Sequence, residues 1–254
     1  MDRGTYSAAS GGLVQLRKLE IVNNNLANIN TPGFKRQILL TEKQSFESTF
    51  AKELESTDPF ARGDHDRTPG STNLQSVVDF SPGPIKNTGN ALDVALHQPN
   101  DFFVVQTPEG PQYTRAGNFS INAKGELTSM DGMPVLGDGG GITISGPGAL
   151  INPDGSVNVD GTPVGKLRVV RFEDTSSLMP VGNSRFKTGE GAAAPPNVEA
   201  EVIPQSLEMA NLSVVSTVVD LMSTNRAFDL YTRMATSIDQ VNQSAISQVG
   251  RRNS

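Results

Sequence analysis

The sequence predicts an α+β protein: long N- and C-terminal helices forming a coiled-coil-like α-helical unit, with an antiparallel all-β domain inserted between them. Three observations predict it. Apolar residues recur in alternating steps of three and four at both ends of the chain. The middle switches to short strand-type runs divided by turn dipeptides. No Pro or Gly falls within residues 205–249, although the chain holds 16 and 25 of them.

The first helix is read over residues 5–29. Tyr6, Ala9, Leu13 and Leu16 are spaced 3, 4, 3, and Leu19, Val22, Leu26 and Ile29 repeat that spacing after a shortened step. Such a narrow seam, offset once near Arg17-Lys18, is of coiled-coil type. Asn28-Ile29-Asn30-Thr31-Pro32-Gly33 ends it. Pro32 disfavours helical backbone at Thr31, and Gly33 permits a left-handed turn.

Residues 1–36 form one segment of the expected inner unit, and residues 37–78 an arm that is polar from 44 to 77. Residues 79–203 form the β domain. Leu92-Asp93-Val94-Ala95-Leu96, Phe102-Phe103-Val104-Val105, Phe119-Ser120-Ile121, Ile142-Thr143-Ile144, Ser156-Val157-Asn158-Val159 and residues 166–172 read as strands. Glu109-Gly110, Lys124-Gly125, Asp131-Gly132, Asp138-Gly139, Asp154-Gly155 and Asp160-Gly161 read as turns between them. Residues 189–196 resemble an exit linker. Residues 204–254 complete the inner unit. Leu212, Val215, Val219 and Met222 are spaced 3, 4, 3; the seam slips near Asn225-Arg226 and resumes through Ala227, Tyr231, Met234, Ile238, Val241 and Ala245.

A helix with one narrow apolar seam does not bury that seam alone. Each Leu- or Val-sized side chain contributes roughly 1.5–3 kcal/mol when buried. The seams therefore drive pairing with each other, with further copies, or with neighbours. The residues expected to carry that assembly are Leu13, Leu16, Leu19, Asn24, Asn25, Leu26, Asn28, Ile29, Leu212, Val215, Val219, Met222, Tyr231, Met234, Ile238 and Val241. The Asn24-Asn25-Leu26-Ala27-Asn28 patch reads either as a polar interface network or as a helix cap and turn, and both can hold.

Composition removes other function classes. The net charge is −6 and no Lys/Arg run exceeds two, so no nucleic-acid surface is expected. There is no cysteine, hence no disulfide, thiolate nucleophile or Cys-bound zinc. No apolar run approaches the ~20 residues that span a bilayer. The opening Met1-Asp2-Arg3 lacks the apolar core of a signal peptide, so the expectation is that the chain is exported without one, if at all.

Possible chemistry reads as plain structure. Asp64-His65-Asp66 lies in the polar arm, and the only other histidine is His97. Residues 152–161 have a faint calcium-loop pattern but lack the loop's Gly and closing Glu, and hairpin turns explain them better. Gly137-Asp138-Gly139-Gly140-Gly141 is followed by no Gly-Lys-Ser/Thr, and no Gly-x-Ser-x-Gly elbow is present. No catalytic residue, metal or cofactor is therefore expected. A β-rich hydrolase with helical arms and an extracellular adhesion or binding module are the alternatives from other classes.

Asn24-Asn25-Leu26-Ala27-Asn28-Ile29-Asn30-Thr31-Pro32-Gly33-Phe34-Lys35 resembles the N-terminal signature of flagellar basal-body rod and hook proteins. Tyr6-Ser7-Ala8-Ala9-Ser10-Gly11 is similar to that family's opening. Residues 87–95, 102–107 and Tyr113-Thr114-Arg115-Ala116-Gly117-Asn118-Phe119 look like its central block. Glu208, Asn211-Leu212 and Asn225-Arg226-Ala227-Phe228-Asp229 resemble its C-terminal signature. The chain length fits both the proximal and distal rod members, and Met1-Asp2-Arg3-Gly4-Thr5-Tyr6 and residues 226–231 look like the proximal one. The resemblance implies export by the flagellar type III apparatus and helical assembly in the periplasmic rod with copies of itself and other rod proteins. It also implies a place inside the surrounding ring proteins, and the transmission of torque.

Overall fold

The computed structural model describes residues 3–43, 72–146, 148–189 and 194–251. Residues 44–71, most of the expected polar arm including His65, lie outside them, as do residues 190–193 of the expected linker. Nineteen short strands and two long helices are present among the described residues. The chain divides into two compact units, one of residues 1–26, 37–77 and 215–254, the other of residues 27–36 and 78–214.

The first unit holds helix α1 (Arg3–Ala27), the strands β1 (Gln37–Lys43) and β2 (Thr72–Val78), and most of helix α2 (Val214–Arg251). β1 and β2 form a two-stranded sheet. The layout is α+β, but the expected coiled-coil-like helical unit is not what forms. Leu13 is 63% exposed, Val215 74% and Val241 66%, and Leu16, Val219, Met222 and Met234 are exposed too. The helices instead meet where α1 carries no side chain. Gly11 lies against the ring of Tyr231, so close that a methyl group there would overlap it, and Gly12 faces the same side chain. A glycine pair against one aromatic ring is a local contact and leaves Leu13 and Leu16 exposed.

α2 begins at Val214, later than its periodicity suggests. Ahead of it, β18 (Val202–Pro204) and β19 (Ser206–Glu208) pair with β4 (Val94–Leu96) and β3 (Ile85–Asn87). Backbone pairing and the burial of Leu207 hold these residues extended.

The second unit is antiparallel throughout its assigned pairings. Its main sheet contains β5 (Asp101–Thr107), β6 (Gly110–Thr114), β14 (Val169–Arg171), β15 (Leu178–Gly182), β16 (Arg185–Thr188) and β17 (Asn197–Val198), in the order β15-β16-β6-β5-β14-β17. A three-stranded sheet joins β11 (Ala149–Ile151), β12 (Ser156–Val159) and β13 (Thr162–Lys166), and β7 to β10 complete two small hairpins over residues 120–128 and 136–141.

The uninterrupted apolar run in β5 follows from burial on both faces. Phe103 and Val105 enter a core with Val94, Leu96, Phe119, Leu127, Val135 and Val169. Phe102 and Val104 enter another with Tyr113, Val170, Phe172 and Phe186. Successive side chains point to opposite faces, so both faces need apolar residues. Phe102 and Tyr113 meet Phe172 edge-on, with centroids 5.4 and 4.9 Å apart. The β15–β16 hairpin is absent from the sequence reading, because its turn is Asn183-Ser184 with no glycine. Both residues take left-handed backbone, φ 50° and 54°.

Candidate assembly surface and a buried ion triad

Part of the seam predicted for α2 stands open to solvent. Val215, Val219, Met222, Met234 and Val241 of that seam are exposed and, at 100° per residue, fall within an arc of roughly 120°; Val214, Val218 and Leu230, outside the predicted seam, are exposed as well. Tyr231 and Ile238 are half-buried, as is Leu212 in the turn before the helix. On α1, Leu13 and Leu16 are exposed, and Leu19 and Leu26 half-buried. Ile21 and Val22 turn inward.

The asparagines separate. Asn24 is exposed and Asn28 half-buried. Asn25 is buried; its amide Nδ2 donates to the Gln37 carbonyl at 2.8 Å and its Oδ1 accepts from the Gln37 N–H at 3.0 Å. The side chain thus mimics a strand peptide and pins the start of β1 to the end of α1. Asn28 and Ile29 lie in the turn after α1, where Thr31 Oγ1 donates to Asn28 Oδ1 at 3.3 Å.

In the second unit three charged side chains lie 2% exposed: Lys35, Arg115 and Glu208. Lys35 Nζ donates to Glu208 Oε1 at 2.7 Å and to the Ser81 carbonyl at 2.7 Å. Arg115 Nε donates to Glu208 Oε2 at 2.8 Å, with Nη2 at 2.6 Å from the same oxygen. Arg115 Nη1 donates to the Gln98 and Asp101 carbonyls at 2.7 and 2.6 Å. The Gly83 N–H adds a bond to Glu208 Oε1 at 2.9 Å. Burial alone would raise the Glu208 carboxyl, but Arg115 and Lys35 together outweigh it and hold the group below its usual range. At Lys35 burial dominates and lowers the ammonium, with Glu208 offsetting part of the shift.

Two neighbouring residues explain the sequence around the triad. Gly33 has φ +67°, its N–H donates to the Glu208 carbonyl at 2.8 Å, and a Cβ there would collide with the backbone of Arg115 and Ala116. Asn211 Oδ1 accepts from the Arg36 N–H at 2.8 Å, while its Nδ2 donates to the Asp79 carbonyl and to Ser81. The triad escaped the sequence reading because its members are far apart: 173 residues separate Lys35 from Glu208, and 93 separate Arg115 from Glu208. The available signal was that Lys35 and Arg115 are the lone charges of residues 24–35 and 113–119.

The residues weighed for chemistry take structural places. Asp154 Oδ1 accepts from the Ser156 N–H and hydroxyl, which lower its pKa, as a turn residue would. Residues 136–141 form the β9–β10 hairpin. His97 is exposed. Among the described residues no group of three His, Asp or Glu is placed to hold a metal ion. A cleft of about 240 Å³ in the second unit is lined by Pro32, Ala116, Met130, Asp131 and Arg185 among others. Arg185 and Asp131 stand 3.0 Å apart there as an ion pair. No described helix is long and apolar enough to cross a membrane.

A β unit knitted together by buried ions, in a chain whose helices turn apolar stripes outward, defines a structural subunit built for packing. Comparison with known families agrees. Residues 6–35 match the flagella basal body rod protein family, residues 98–162 the D1 domain of flagellar hook proteins FlgE/F/G, and residues 203–248 the C-terminal region of flagellar basal body rod FlgEFG proteins. Each match contains one member of the triad. The flagellar basal-body rod protein FlgF of Caulobacter vibrioides is 32% identical over the full length of both chains. FlgF of Salmonella typhimurium is 29% identical over 94% of this chain and 95% of its own. The rod protein FlgG of Agrobacterium fabrum is 29% identical over 94% and 96%. The chain belongs to the flagellar basal-body rod protein family, and is a structural rod subunit of the basal body.

Proposed function

We propose that this subunit occupies the proximal rod, in the place of FlgF, and packs there against copies of itself and other rod proteins. The observation that carries the reading is the exposed apolar stripe of α2, together with Leu13 and Leu16 of α1. Contact with neighbours removes that surface from water at about 25 cal/mol per Å². The FlgF name of the full-length relative supports the proximal position. In this reading the subunit leaves the cytoplasm through the flagellar type III export apparatus and is enclosed by ring proteins. Its work is mechanical rather than catalytic: torque crosses the periplasm through packed interfaces.

The experiment is electron cryo-microscopy of purified basal bodies, with Val219→Asp as control. Density for this chain at the proximal end, and loss of rods in the variant with the β unit still folded, is the expected outcome. Density in the distal rod would transfer the assignment to the FlgG position, a reading that the similarity to the Agrobacterium protein favours. Normal rods from the Val219→Asp chain would remove the stripe as an interface.

A further inference from the structure

We propose that Glu208 is the closing counter-charge of the β unit, so that the rest of that unit does not complete its fold until the segment carrying β18 and β19 docks.

The argument starts from charge. Lys35 and Arg115 are both 2% exposed, and their remaining hydrogen-bond partners are the neutral carbonyls of Ser81, Gln98 and Asp101; the Asp79 carboxylate acts on Lys35 as the weakest of the charges around it. Glu208 supplies the carboxylate in contact with both cations. Two cations without an anion are among the most unfavourable contents of a protein interior. A chain that has not yet placed residue 208 keeps Lys35 and Arg115 in water, and that holds apart the surfaces that would bury them.

Topology makes the same point. The docking segment pairs β19 with β3 and β18 with β4, and the Met209 N–H donates to the Pro84 carbonyl at 2.9 Å. The Glu208 backbone carbonyl receives the Gly33 N–H. One short stretch just before α2 therefore completes hydrogen bonds to residues 33, 83–87 and 94–96 while its one carboxylate pairs with both cations. Closure is a single event joining segments distant in sequence, independent of where the subunit sits in the rod.

The test is hydrogen exchange on the full-length chain and three variants: Lys35→Met, Glu208→Gln and the double variant. A stabilising sucrose buffer, which supplies no anion, keeps protection measurable in all four. Glu208→Gln is expected to lower protection more than about a hundredfold, in β14 and β16 as well as in β3 and β19. Lys35→Met is expected to lower protection in the parent, where it removes hydrogen bonds. In the Glu208→Gln background it is expected to raise protection by about tenfold or more, because one of two uncompensated cations is gone. A side chain that merely filled space would not show that reversal of sign. Unchanged protection in Glu208→Gln, a loss confined to β3 and β19, or Lys35→Met lowering protection in both backgrounds would each overturn the proposal.

Discussion

Gly33 is the residue where backbone geometry leaves least choice. Its left-handed φ and the approach of the Arg115–Ala116 backbone act together. Gly33→Ala is expected to destabilise the β unit by about 1–3 kcal/mol or more, since strain and collision add; a urea titration followed by exchange or fluorescence checks it. The sequence reading placed a left-handed turn at Gly33 from the Pro-Gly pair alone. It had no means of seeing the second reason, because the chain that approaches Gly33 lies some eighty residues further on. Asn25 is a similar case: its residue type announced hydrogen bonding, but the partners, the backbone N–H and C=O of Gln37, are a matter of tertiary path.

Glu208 gives the residue scale its pH dependence. Its carboxyl is held below the unfolded value of 4.5, so the folded state binds fewer protons than the unfolded chain between the two values. The stabilisation is therefore fully present above pH 4.5 and lost as pH falls through the folded value. Unfolding midpoints of the β unit measured from pH 7 down to pH 3 should be level at first and then fall. A midpoint that stays flat below pH 4.5 would mean that the ion pairs contribute nothing net.

Among the elements, β5 and the two helices behave differently under mutation. Phe102 is fully buried between Phe172, Phe186 and Phe80, all within 6.1 Å centroid to centroid. Phe102→Ala is expected to cost about 3–5 kcal/mol, read as a shift in urea midpoint. On α1, Gly11→Leu should loosen its contact with α2, and Tyr231→Ala should restore it in the same chain, because the obstacle is the ring. Helical circular dichroism of the single and double variants checks this. The sequence showed both helices and much of the β domain, since these rest on local periodicity. It predicted that the two helices form a coiled-coil-like unit, and they do not. A 3–4 spacing shows that a stripe exists, whereas its partner depends on which surfaces meet, and here a glycine pair meets a tyrosine.

For the whole molecule, the contrast between the units predicts uneven stability. The β unit buries two apolar clusters and an ion triad, while α2 leaves a long stripe in water. In the isolated subunit, exchange is expected to be fast along residues 214–241 and slow in β5, β6 and β14. Slow exchange in α2 of a dilute monomer would show that the helix is stable without neighbours. Protection of α2 that appears only on incorporation into rods would tie the stripe to assembly.

The double-sided burial of β5 has a consequence before the fold exists. Phe102-Phe103-Val104-Val105 is uncharged, aromatic and β-branched, the composition of segments that stack between chains when left exposed. Asp101 stands directly ahead of it. In the folded chain that aspartate is buried, bound through both oxygens by Arg171 at 2.6 and 3.0 Å. In the unfolded chain the same residue sets a negative charge at the edge of the sticky run, and Pro108-Glu109 closes the other side. Asp101 thus has a place in two states: it anchors β14 beside β5 once the sheet has formed, and Asp101→Asn is expected to raise light scattering during refolding, because the charge no longer flanks the exposed run.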